Sequence, residues 1–138
     1  MTAETIFAPV SVLALWTGAV LLLTGYRRIR AVVKGRLPAN AFKLGESPEV
    51  PPEIAVANRN LMNLLEMPQL FYVACVAIYV THNVEAAPVA LAWTYVGLRV
   101  GHSLVHITSN RVTRRLALFA LSNFVLLAIW LWFIARLF

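Results

Sequence analysis

Apolar residues are concentrated in four long runs that polar segments separate. The runs cover residues 6–26, 61–80, 86–107 and 116–135, and the first and last contain no charged side chain. A hydrocarbon core about 30 Å thick needs roughly 20 helical residues, so each run is long enough to cross a bilayer. The alternating pattern of membrane β-strands is absent. We therefore predict an all-α integral membrane protein, a single up-down bundle of four transmembrane helices over residues 1–138.

Composition and charge agree with this prediction and add a topology. Hydrophobic residues make up 60% of the chain and charged residues 13%, whereas soluble domains carry about 25% charged residues. Ten of the twelve bases lie in the two connections on one side of the predicted bundle. They are Arg27, Arg28, Arg30, Lys34, Arg36, Lys43, Arg59, Arg111, Arg114 and Arg115. The positive-inside rule places these basic loops in the cytoplasm and both termini outside. Because topology explains the basicity, no nucleic-acid partner is predicted.

The first connection is long and the others are short. Prolines and glycines across residues 27–58 predict a cytoplasmic loop without a long regular element in its middle. The single cysteine, Cys75, excludes an intrachain disulfide.

Two series of polar residues interrupt the middle spans at helical spacing. They are Arg59, Asn63 and Glu66 on the second span, and Arg99, His102 and His106 on the third. Each series lies on one face of its helix, and the two lie at similar depth. An ionisable residue inside a membrane helix costs at least about 2.5–3.5 kcal/mol on insertion scales. We therefore expect the two faces to meet, with Glu66 neutralising Arg99 or a protonated histidine.

Two interpretations of these polar faces are open. The simpler one is a structural ion pair with hydrogen bonds between helices. The other is a cavity, open to the cytoplasm, in which arginines hold the carboxylates of a ligand and Glu66 holds its ammonium group. Six polar residues exceed what one structural pair needs, which favours the cavity. His102 and His106 with Glu66 could in principle bind a metal, but no third ligand of certain geometry exists, and no metal site is predicted.

Short motifs on the same residues resemble those of a known family. The segment RNLMNLLEMP at residues 59–68 resembles the RxxxNxxE signature of the MAPEG superfamily, the membrane-associated proteins in eicosanoid and glutathione metabolism. The segment RVGH at residues 99–102 is similar to the RVxH segment of the prostaglandin E synthase and microsomal glutathione transferase branches. The chain thus resembles a bacterial-type member of that group. The resemblance implies a homotrimer with glutathione bound as co-substrate between neighbouring subunits near the cytoplasmic side.

The resemblance also implies roles for individual residues. Glutathione contacts are implied for Arg59, Asn63, Glu66, Arg99 and His102, and Arg28 is implied to reach a neighbour's site. Either Arg114 or Arg115 corresponds to the arginine that stabilises the thiolate, and the spacing leaves both open. Two departures are visible, because His106 and Phe119 stand where the family has tyrosines. His106 remains a candidate ligand contact, whereas Phe119 has no hydroxyl.

Three functional hypotheses follow from these residues. The first is a glutathione-dependent transferase or peroxidase that acts on lipophilic electrophiles entering from the bilayer. The second is a non-catalytic lipid- or ligand-binding protein with the same fold, which the two departures favour. The third is a proton or metal transporter that uses Glu66, His102 and His106; the small number of spans and the absence of a repeat argue against it.

Overall fold

A computed structural model describes residues 2–43 and 47–138 of the chain, and within them all regular structure is helical. The α-helices are α1 (Phe7–Val33), α2 (Pro52–Glu66), α3 (Pro68–Val80), α4 (Ala86–Ile107) and α5 (Val112–Leu137). Short 3₁₀ turns precede α1 (Ala3–Ile6) and occupy part of the long connection (Ala39–Phe42). The fold class is thus confirmed as an all-α bundle.

Proline divides the second predicted span into two helices. Pro68 has no backbone N–H with which to continue the helical hydrogen-bond series, so α2 ends at Glu66 and α3 begins at Pro68. The residue between them, Met67, keeps helical angles (φ −64°, ψ −36°). The chain therefore continues in the same general direction, and Pro52–Val80 forms one long apolar segment with an interruption near its middle.

The long connection is shorter than the sequence predicted. Helix α1 continues to Val33, because Arg27, Arg28 and Arg30 remain helical beyond the apolar run. Helix α2 already begins at Pro52, where a first-turn proline leaves no helical hydrogen bond unmade. The prediction of a loop over residues 27–58 was therefore wrong at both ends, and its residues 44–46 lie outside the described part of the chain.

Within the described part of the chain, three segments are long and apolar enough to cross a membrane: Ala3–Val33, Pro52–Val80 and Val112–Leu137. Helix α4 is more polar, and it packs against α1, α2 and α5. Its buried residues include Arg99, His102 and His106, so the bundle rather than lipid surrounds these groups. The main core joins all the helices, with Phe71 of α3 stacked on Tyr95 of α4 at 4.6 Å between ring centroids.

A second, smaller apolar core lies beside the long connection. It consists of Ala31, Leu37, Val50 and Ile54, which join the end of α1 and the start of α2 to the connecting chain. At the other end of the helices, Arg136 of α5 forms a 2.9 Å ion pair with Glu85 just before α4.

Candidate functional site

One face of α4 carries buried polar side chains. Tyr95, Arg99 and His106 are 0% exposed and His102 is 3% exposed. The rings of His102 and His106 lie 5.8 Å apart between centroids. A charged guanidinium removed from water needs compensating partners, so the surroundings of Arg99 define the site.

Arg99 is held between α2 and α5. Its Nη2 donates a hydrogen bond to the backbone carbonyl of Asn63, and its guanidinium lies over the Phe119 ring, 5.7 Å from the centroid. Within residues 2–43 and 47–138, Nε and Nη1 of Arg99 have no hydrogen-bond partner. The contact with Asn63 joins the two polar series that the sequence predicted to meet.

The rest of the α2 series is oriented differently from our expectation. Asn63 is half-buried and donates to the Arg59 carbonyl at 2.8 Å, whereas Arg59 and Glu66 are exposed. No hydrogen bond or ion pair joins Glu66 to Arg99 in the described part of the chain. The expected neutralising pair is therefore not formed within the described chain.

The polar residue that α2 buries is Asn60, which the sequence analysis did not single out. Its Nδ2 donates to the Ser103 hydroxyl at 2.7 Å, and the Trp16 indole N–H donates to the same oxygen at 2.9 Å. Ser103 thereby links α1, α2 and α4. The signal was present in the sequence, since Ala57, Leu61 and Leu64 have helical spacing and Asn60 falls on the face that they form.

A cleft of about 250 Å³ opens beside this polar face, and we call it the Arg115 cleft. Its lining consists of Asn63, His102, Val112, Arg115, Leu116 and Phe119. Arg115 is half-buried and its Nη1 donates to the Asn110 side-chain oxygen at 2.7 Å. Arg114 is exposed and does not line this cleft. Of the two arginines that the sequence left open, the structure brings Arg115 next to Asn63 and His102.

Phe119 forms the apolar wall of the Arg115 cleft. Its ring lies 6.0 Å from the His102 ring between centroids, in addition to its contact with Arg99. The position at which the resemblance implies a tyrosine therefore lies in the cleft, beside Arg99 and His102. His106, the other departure, is buried next to His102.

A second cleft, of about 460 Å³, lies on the loop side, and we call it the Arg59 cleft. It is lined by Ser47, Pro48, Val50, Pro52, Ala55, Val56, Arg59 and Asn110. Asn110 connects the two clefts, because it lines this one and binds Arg115 of the other. Arg59 lines this cleft and Arg115 lines the other, so each cleft offers a guanidinium group that is suited to an anion.

Arg28 lies apart from both clefts in the single chain. Its guanidinium is 5.2 Å from the Phe42 ring centroid, beside an apolar cleft formed by the end of α1 and the Ala39–Phe42 turn. No group of three possible metal ligands among His, Cys, Asp and Glu occurs in residues 2–43 and 47–138.

Comparison with known proteins agrees with this architecture. The family model described as MAPEG family matches residues 6–135. The searches of curated proteins and of solved structures each gave no match. The family match covers nearly the whole chain, from before α1 almost to the end of α5, and includes every residue of the Arg115 cleft. The chain therefore belongs to the MAPEG family.

Proposed function

We propose that the protein is a membrane-embedded, glutathione-dependent transferase or peroxidase that acts on lipophilic electrophiles from the bilayer. The observation that carries the proposal is the Arg115 cleft, in which one arginine, one histidine and one asparagine surround a space large enough for a thiol group. Family membership supports a membrane protein of this type, and the cleft supports the thiol chemistry.

The charges of the site match those of glutathione, which carries two carboxylates and one ammonium group. Arg59 and Arg115, which face the connected clefts, are suited to anionic groups, with the buried Arg99 adding positive charge behind them. Glu66 is suited to the ammonium group. Asn63 supplies amide hydrogen-bonding groups next to the Arg115 guanidinium. In this arrangement Arg115 stabilises the thiolate, because a nearby cation lowers the pKa of a thiol and the thiolate is the nucleophile.

The proposed conjugation step is a nucleophilic substitution or addition. The bound thiol loses its proton to solvent, and the thiolate sulfur forms a bond to an electrophilic carbon. In substitution the leaving group departs with the bonding electron pair, whereas in addition the π electron pair moves to the neighbouring atom, which takes a proton from solvent. In the peroxidase variant the thiolate attacks the terminal hydroperoxide oxygen, the O–O bond breaks to give a sulfenic acid, and the alkoxide leaves and takes a proton from solvent. The thiol of a second glutathione then attacks the sulfenic acid sulfur, which forms the disulfide and releases water. Phe119 and Leu116 provide an apolar wall for a substrate that enters from the bilayer.

Self-association belongs to this proposal. Glu66 is exposed near the middle of the apolar Pro52–Val80 segment, and a carboxylate facing lipid there is costly. A neighbouring copy that covers Glu66 would remove this cost and bring a further chain to the Arg115 cleft. This supports a homotrimer, in which Arg28 of one copy could reach the site of the next. We further propose that the basic loops face the cytoplasm and both termini face outside.

Thiolate formation tests the proposal directly. Glutathione is titrated into purified protein in detergent, and thiolate absorbance in the far ultraviolet is followed for the parent chain, Arg115→Gln and Arg114→Gln. We expect a thiolate signal in the parent chain and in Arg114→Gln, and its loss in Arg115→Gln. Equal signals in both variants would refute the role of Arg115, and a parent chain without any signal would refute the thiol chemistry.

A second candidate function is non-catalytic binding of a lipid or another ligand in the same cleft. The observation that favours it is Phe119, which places an apolar ring over Arg99 and His102 where the family has a hydroxyl. Glutathione or lipid bound in stoichiometric amount, with no turnover of a panel of electrophiles and hydroperoxides, would support this function over the first.

A further inference from the structure

A separate basic cleft of about 370 Å³ lies where α1 ends and α2 begins. Four bases and one acid contribute to its lining, which consists of Tyr26, Arg27, Arg30, Ala31, Lys34, Arg36, Glu53 and Ile54. None of these residues lines the Arg115 or Arg59 cleft. Its volume is within the range of small-ligand pockets, and the proposed thiol chemistry makes no use of it.

Two of the bases are fixed by neighbouring groups. Arg27 Nη1 donates to the Glu53 backbone carbonyl at 2.7 Å, which ties α1 to the first turn of α2. Arg30 Nη1 donates to the Tyr26 hydroxyl at 3.0 Å, with its guanidinium over the same ring. These contacts hold the guanidinium groups at the wall of the cleft and reduce the conformational freedom that a ligand would have to remove.

The other two bases are brought in by the turn that ends α1. Gly35 adopts φ +65°, a conformation that glycine reaches at little cost. The Arg36 N–H then bonds to the Ala31 carbonyl and the Gly35 N–H to the Val32 carbonyl, which is a Schellman motif. The chain folds back, so that Lys34 and Arg36 both line the cleft. Their side chains make no hydrogen bond or ion pair within the described residues.

The floor of the basic cleft is apolar and rigid. Ala31 and Ile54 line the cleft and belong to the smaller core with Leu37 and Val50. All four side chains are buried, at 4–7% exposure. The cleft therefore has a preformed apolar base with cations around it, which suits a ligand that is partly apolar and carries a negative group.

The depth of the basic cleft in the membrane indicates whether such a ligand comes from water or from the lipid layer. The Ala3–Val33 segment contains 31 residues, about 46 Å of helix, whereas the hydrocarbon core is about 30 Å thick. The uncharged part ends at Tyr26, so Arg27 to Arg36 lie in the layer of lipid head groups. Tyrosine is common at that interface.

We propose that the basic cleft binds the head group of an anionic glycerophospholipid from the adjacent leaflet. The phosphodiester accepts hydrogen bonds from Lys34, Arg36 and Arg30, and the glycerol backbone rests on the apolar floor near Ile54. Basic pockets beside transmembrane helices bind anionic head groups in this way. A soluble phosphate shares the charge but lacks the acyl chains that would lie along α1.

The test compares defined lipids on the purified full chain in a neutral detergent. Dioleoylphosphatidylglycerol and dioleoylphosphatidylcholine are titrated separately, and bound lipid is counted by native mass spectrometry. Glycerol 1-phosphate is added as a soluble competitor. We expect phosphatidylglycerol to bind at least about fivefold more tightly than phosphatidylcholine, and millimolar glycerol phosphate to leave it bound.

Variants assign the binding to the basic cleft. Lys34→Gln/Arg36→Gln should weaken phosphatidylglycerol binding about tenfold. The control Lys43→Gln/Arg111→Gln removes the same charge from exposed positions that line none of the four clefts described above, and it should stay within about twofold of the parent. The charge-conserving Lys34→Arg/Arg36→Lys should also retain binding, which excludes a folding defect at these positions.

Three results would overturn the proposal. Equal affinity for the two lipids would show that the head-group charge is not recognised. An equal loss in the Lys43/Arg111 control would show a general charge effect. Displacement of the lipid by glycerol phosphate would show that the cleft binds a soluble phosphate instead.

Discussion

The Arg115 cleft and the basic cleft both collect positive charge, but they hold it in different ways. Beside the first, Arg99 is fully buried and fixed between helices, and Arg115 is held by Asn110. In the second, Lys34 and Arg36 are exposed above an apolar floor. Buried, oriented charge acts strongly on one reacting atom. Exposed charge attracts an anionic surface and is easily screened. The two clefts thus suit a reaction and an attachment respectively.

The largest difference between the clefts should appear when Arg115 is changed. We expect Arg115→Gln to lower kcat/KM for glutathione conjugation about 100-fold or more, because one preorganised electrostatic donor contributes about 10²–10³ to rate. Phosphatidylglycerol binding should be unchanged. Steady-state kinetics and native mass spectrometry on the same preparation give both values. A parallel loss of lipid binding would mean that the two clefts are not independent.

A change in the apolar floor of the basic cleft should lower stability and lipid binding without affecting the Arg115 cleft. Ile54→Ala removes a buried side chain from the smaller core and should lower the free energy of unfolding by about 2–4 kcal/mol. The same variant should also lose phosphatidylglycerol binding. The matched control Ile134→Ala changes an exposed isoleucine of α5 and should lower the free energy of unfolding much less. Unfolding in mixed micelles with increasing dodecyl sulfate gives the free energies. A thiolate signal lost in Ile54→Ala while the protein remains folded would contradict the separation.

A hydroxyl group added at position 119 should raise glutathione affinity or thiolate yield in the Arg115 cleft. Phe119→Tyr places a donor near His102 and the ligand, and a net hydrogen bond of about 0.5–1.5 kcal/mol corresponds to roughly 2–12-fold. We therefore expect glutathione affinity or thiolate yield to rise by about that factor. Phe124→Tyr, on an exposed position of the same helix, serves as the control. A decrease specific to Phe119→Tyr would indicate that the apolar wall itself is needed, as in the binding-protein hypothesis.

Salt should affect the basic cleft more than the Arg115 cleft. Raising ionic strength from about 0.05 M to about 0.5 M shortens the screening length several-fold around exposed charges. Phosphatidylglycerol binding should weaken by about threefold to tenfold, while glutathione binding beside the buried Arg99 changes less. Titrations of phosphatidylglycerol and of glutathione at both salt concentrations measure the change in each affinity. Equal salt sensitivity would show that the glutathione site is as open to solvent as the basic cleft.

Fold class and family could be predicted from the sequence because both depend on long patterns. Apolar runs of about 20 residues with polar interruptions leave few alternatives in a membrane, and the buried polar face of α4 follows from helical spacing. The helix ends could not be predicted in the same way. Hydropathy indicates where the chain leaves the hydrocarbon core, but the helices extend beyond the apolar runs. Helix α1 continues to Val33 and α2 already begins at Pro52.

The details of the site depend on the orientation of each helix about its own axis relative to its neighbours. Helical spacing put Arg59, Asn63 and Glu66 on one face, but packing turned Asn60 inward and left Glu66 outside. Adjacent residues such as Arg114 and Arg115 differ by about 100° around a helix. Only the position of α5 against α4 decides which of them lines the cleft.

The hydrogen bond between Trp16 and Ser103 also constrains the order of assembly. The two residues are separated by 87 positions in the chain, which at about 5–20 residues per second takes roughly 4–17 s to synthesise. Until Ser103 is made, neither the Trp16 indole N–H nor the Asn60 amide has the hydroxyl that accepts from both in the folded chain. The emergence of α4 satisfies both through one hydroxyl. Helix α4 thus supplies the acceptor for donors on both earlier helices, and Ser103→Ala should lower the free energy of unfolding in mixed micelles by about 1–3 kcal/mol.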